Sequence, residues 1–81
     1  MKNVKCFDNG GKTADRYTVV YTDRPEGKGF MSVGMSANPN NPLGVCQHET
    51  CVLPNSAIGK RIPFEKLPEA CQWVVREDQK D

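Results

Sequence analysis

Cys46-Gln47-His48-Glu49-Thr50-Cys51 is the stretch with the most chemical potential, because it places two thiols and an imidazole within six residues. Zinc takes sulfur and nitrogen ligands in tetrahedral array, and a structural site contributes about 10 kcal/mol to the folding of a small domain. Cys46, His48 and Cys51 could supply three ligands, with Cys6 or Cys71 as a fourth. The spacing argues against this, since zinc knuckles carry two closely spaced ligand pairs and Cys6 and Cys71 each stand alone. No cofactor is therefore expected, with zinc as the alternative.

A second chemistry would pair Cys46 or Cys51 with His48 as base, the arrangement of a thiol or hydrolytic enzyme. Neighbours in sequence seldom meet as nucleophile and base, and nothing marks an oxyanion hole. A Cys46–Cys51 disulfide is sterically open but belongs to oxidising compartments. Gly10-Gly11-Lys12 and Gly27-Lys28-Gly29 lack the strand, loop and helix context of a phosphate cradle, and read as turns. Tyr17 and Tyr21 share a strand face as a stacking platform would, although that period also suits core packing. Trp73 reads as an edge-packed core residue.

The scaffold that must position these residues is short. Eighty-one residues allow one domain, 1–81, with a thin stability margin. Eleven basic and ten acidic side chains give a net charge of +1, which supplies no field for nucleic acid or anionic lipid. No run approaches the roughly 18 apolar residues of a membrane helix. Asp8 and two glycines interrupt the N-terminal stretch before a signal-peptide core forms, so a cytoplasmic setting with reduced thiols is expected.

Asp8-Asn9-Gly10-Gly11 is a strong hairpin signal, and it predicts strands on both sides, about 2–7 and 16–22. In the second, Tyr17, Val19 and Tyr21 alternate with Thr18, Val20 and Thr22. Asp23 to Gly29 reads as a turn, followed by a third strand over 30–35 that buries its Met31, Val33 and Met35 side. Pro39 and Pro42 break regular structure, so 36–59 reads as a loop, with Ile62-Pro63-Phe64 as a short edge strand. Pro68 suits a first helical position, and Leu67, Ala70, Cys71, Val74 and Val75 form an apolar stripe over a helix at about 68–78. The expected fold is α+β: a three- or four-stranded antiparallel meander with one C-terminal helix packed on it.

Of all the charged side chains, only Glu49 falls within residues 31–59. A solvated linker carries more charge, so this segment is expected to pack on the domain or to contact a partner. The preferred functional reading is a non-enzymatic binding or accessory module for a protein or polar ligand. Its surface is the 35–48 segment, where Asn38, Gln47 and His48 supply hydrogen-bonding groups and Met35 and Leu43 supply apolar contact.

Three stretches together resemble a group of small proteins of bacterial and phage genomes. They are Asp15-Arg16-Tyr17-Thr18-Val19-Val20, then Gly34-Met35-Ser36-Ala37-Asn38-Pro39 with Pro42 and Gly44, then Gln47-His48. Ile62-Pro63-Phe64 and Leu67-Pro68 with the following helix also fit. The resemblance implies a bacterial or phage setting and makes Gly34 to His48 a signature. It attaches no reaction, ligand or partner. Its pattern lacks cysteines beside Gln47-His48, which weighs further against zinc.

Overall fold

The hairpin signal at Asn9-Gly10 is realised, but as a longer and more constrained loop than a two-residue turn. In the computed structural model, which describes residues 2–80, strand β1 (Val4–Asp8) and strand β2 (Tyr17–Glu26) pair antiparallel, with Cys6 opposite Val19. The connection is closed by Asn9 N donating to Arg16 O at 2.9 Å. Inside it the Asn9 side chain accepts from the amides of Gly11 and Lys12 and donates to Thr13 and Asp15. Gly10 and Gly11 both take positive φ, 78° and 87°, a backbone state that costs other residues roughly 1–2 kcal/mol each. Arg16 clamps the base of the loop through two bonds to the Asp8 carboxylate, at 2.9 and 3.1 Å.

Strand β2 runs past the expected turn. An irregularity between Tyr21 and Pro25 absorbs the proline, and the chain reverses only at Gly27-Lys28 before strand β3 (Gly29–Met35). The segment 36–59, expected to be a loop, contains a further strand, β4 (Cys46–Val52), paired antiparallel with β3. Its sequence lacks strand-like apolar alternation because it is an edge with little to bury. Strand β5 (Lys60–Ile62) pairs with β1 on the opposite edge, so the edge strand expected at 62–64 lies slightly earlier and Phe64 begins a short 3-10 turn. The result is one five-stranded antiparallel sheet in the order β4-β3-β2-β1-β5. The expected α+β meander holds with one or two strands more than read from sequence.

Helix α1 (Glu69–Asp78) begins right after Pro68, which therefore stands at the N-cap, without a side-chain capping bond, rather than at the first helical position. Its Cys71, Val74 and Val75 are buried against Cys6, Val19, Tyr21, Val33 and Met35, with Phe64 and Leu67 completing the core. Strand alternation puts Phe7, Val20 and Ser32 on the other face, yet these too are buried. The β4–β5 connection must cross this face from one sheet edge to the other, and its Ala57 and Ile58 border the same cleft as Thr18 and Ser32. A sheet covered on both faces accounts for two buried stripes in so short a chain. Among the described residues, no helix is long and apolar enough to cross a membrane.

Candidate functional site

The β3–β4 connection is held in one shape by its own polar groups. Ser36 N donates to Val45 O, and Val45 N donates back to Ser36 Oγ, both at 2.9 Å. Further out, Asn41 N donates to Asn38 O at 3.1 Å and Gly44 N to Asn41 O at 2.8 Å, while Leu43 N donates to Asn41 Oδ1 at 2.8 Å. Pro39 is buried, which seats the loop on the domain. Cys71 Sγ, donating to Ser36 O at 3.2 Å, ties the start of the loop to α1. At its tip stands Leu43, 95% exposed. The backbone beneath this leucine is already ordered, so covering it costs chiefly the rotamer freedom of the side chain itself.

Sequence placed five residues at this site, and the structure separates them. Met35 is fully buried in the core opposite Tyr17 and Cys46, so it offers no contact surface, a correction that follows from the burial of Val33 and Met35 on one strand face under α1. Leu43 is at the loop tip. Asn38 is exposed, and its carbonyl is spent within the loop. Gln47 and His48 are exposed neighbours on β4 whose side chains take opposite faces, Gln47 opposite Gly34 and His48 opposite Val33.

His48 lies on the helix face and has a fixed partner that sequence did not reveal. Its Nε2 donates to Asp78 Oδ2 at 2.7 Å, and the Tyr21 hydroxyl donates to the same oxygen at 2.6 Å. Arg24 Nη2 reaches the Asp78 carbonyl at 2.6 Å, and its guanidinium lies 5.4 Å from the Tyr21 ring centre. Burial, then the Asp78 hydrogen bond, pushes the Tyr21 phenol upward, so it stays protonated as the donor. This node ties edge strand, sheet and helix end together. Its members are 30 and 57 residues apart in sequence, where no local pattern links them.

The zinc reading of Cys46, His48 and Cys51 is not met. Cys46 opposes Met35 at one end of β4, whereas Cys51 lies at the other end beyond an irregularity, at φ 60° and against Gly27. Among the described residues, no three His, Cys, Asp or Glu side chains are grouped to hold a metal ion. Burial and the Asp78 charge push the Cys46 thiol up, which is the wrong direction for a nucleophile. Burial pushes Cys6 and Cys71 up to about 11, as expected for small core residues. All four cysteines are free. Tyr17 and Tyr21 are buried rather than displayed for stacking, and Trp73 is about half exposed.

Two open clefts flank the Asn9–Arg16 loop, the smaller of them on the face away from α1. One, about 330 Å³, is lined by Asp15, Thr18, Ser32, Gly34 and Glu49 among others; the other, about 640 Å³, lies between the loop and Ser56–Lys60. Asp15 sits directly over Gly34, its carboxylate 3.1 Å from where a Cβ would stand. In comparisons with family models, curated proteins and solved structures, nothing matches the chain.

Proposed function

We propose that this chain is a non-enzymatic interaction module of a bacterial or phage cytoplasm that captures a protein partner with the Ser36–Val45 loop and the adjoining edge of β4. The observation that carries this reading is Leu43, a large apolar side chain left 95% exposed on a loop fixed by its own hydrogen bonds. Leu43 acts as the apolar anchor; Asn38, exposed on the same loop, and Gln47, exposed on β4, supply polar contacts, while the His48 imidazole is engaged by Asp78. The near absence of charge through 31–59 keeps desolvation on binding inexpensive. The raised Cys46 thiol supports a binding role over thiol chemistry. The cytoplasmic bacterial or phage setting rests on the sequence resemblance and on the unpaired thiols.

A photo-reactive leucine analogue at position 43 tests the proposal. It should yield discrete protein adducts in cells, while the same probe at Lys12 should not. Leu43→Ser should weaken capture of the identified partner roughly 10- to 100-fold, the loss expected for one buried leucine. Position-independent labelling, or capture unchanged by Leu43→Ser, would count against it.

A further inference from the structure

The two sheet edges are not alike. Strand β5 spans three residues, carries Lys60 and Arg61 and is followed by Pro63, the usual defences of an edge. Strand β4 spans seven residues, is exposed from Cys46 to Cys51, contains no proline and has one charge, Glu49. Its outward backbone groups follow from the ladder. Ser36 N bonds Val45 O, and with Gly34 opposite Gln47 and Ser32 opposite Glu49, the alternation of an antiparallel pair turns the amides of Val45, Gln47 and Glu49 toward β3. The N–H and C=O groups of Cys46, His48 and Thr50 are left pointing outward. The flat stretch ends at Cys51, whose φ of 60° marks the irregularity in β4.

We infer that the occupant of this edge is a second copy of the chain, with the two β4 strands paired antiparallel across a two-fold axis at His48, so that the two sheets become one. This rests on the reading of the loop and edge as an interaction surface, and it names the partner. Three features of β4 match its own inverse. Pairing about His48 sets Cys46 opposite Thr50 of the second copy, so the outward backbone groups satisfy one another in register. It sets Gln47 opposite Glu49 of the second copy, an amide donor facing a carboxylate, and keeps the one charge of the edge from opposing itself. Pairing about Gln47 would instead put Glu49 opposite Val45 with no donor. Finally, two of the three exposed large apolar residues among the described residues, Leu43 and Leu53, flank the two ends of β4, and antiparallel self-pairing carries each toward the other's end on the second copy. The His48 imidazole, held by Asp78, stays on the helix face and leaves the edge clear.

The contact is smaller than a standard interface, so the dimer should populate at concentrations on the order of 100 µM. Sedimentation of the intact chain from about 1 µM to about 1 mM should show the mass of one chain becoming that of two. Thr50→Pro removes only an outward N–H, so it should remain monomeric while folding normally. In a Cys46→Ser/Cys51→Ser background, His48→Cys should form an inter-chain disulfide under mild oxidation, because facing hydrogen-bonded positions lie roughly 5.5 Å apart at Cα. Gln47→Cys, which faces position 49, should not. A wild-type chain that stays monomeric across the range, a Thr50→Pro variant that dimerises normally, or cross-linking through position 47 and not 48 would each overturn the inference. A monomer whose position-43 probe still captures another protein overturns self-pairing alone; a monomer without such capture overturns the functional proposal as well.

Discussion

Met35→Ala is expected to destabilise the domain by about 2–5 kcal/mol, the cost of removing a large side chain from a site that cannot collapse. Met35 has no exposed surface and sits where β2, β3 and β4 meet, opposite Tyr17 on one side and Cys46 on the other. Domains of this size have total stabilities near the low end of roughly 5–15 kcal/mol, so the variant should lose a large part of its margin. Leu43→Ala removes a side chain of similar volume only eight positions along the chain, and should shift stability by no more than about 0.5 kcal/mol. Urea titration of the two variants makes the comparison. Equal midpoints would mean that β3 does not pack under α1 as described.

The second large effect is expected at Gly44. A Cβ there would stand 2.0 Å from the carbonyl oxygen of Asn38 and 3.1 Å from that of Asn41, and both obstacles are backbone. Gly44→Ala must therefore break the Asn38–Asn41–Gly44 turn, because no side chain can move aside. The turn orients Leu43 through the Asn41 side chain, so partner capture should fall at least roughly tenfold, while the sheet should keep its register. Gly10→Ala serves as the control. It meets no atom within 4 Å and carries only the cost of positive φ, roughly 1 kcal/mol, in a different connection, β1–β2. Amide chemical shifts should change between residues 36 and 46 in the first variant and around residues 8–16 in the second. Full capture by Gly44→Ala would detach the loop geometry from function.

Much of the scaffold follows from local signals. The alternation of Tyr17 to Thr22, the Asn9-Gly10 turn and the stripe of Cys71, Val74 and Val75 each state their structure through periodicity or backbone freedom. Strand β4 did not show itself, because Cys-Gln-His-Glu-Thr-Cys has no buried face to write into its sequence; pairing with β3 makes it a strand. Pro25 suggested a turn that the chain postpones by an irregularity in β2. Met35 carries two conflicting signals, burial from its alternation with Met31 and Val33 on β3 and contact from its position beside a proline-rich loop, and the structure follows the first. Leu43 was legible as an apolar residue in a charge-poor loop, but its exposure depended on folding. The Asp78–His48–Tyr21 node was illegible for a different reason: its parts come from strand, edge and helix end, and only tertiary structure brings them together.

The polar stretch 46–50 is an ordered strand, and the proposed function makes its outer edge and the adjoining loop the interaction surface. Residue-resolved hydrogen exchange on β4 tests it most directly. The amides of Gln47 and Glu49, turned to β3, should be protected, while those of Cys46 and His48 should exchange freely in dilute protein and slow when the edge is covered, whether by raised concentration or by an added partner. Uniformly fast exchange across residues 46–50, unaffected by either, would contradict it.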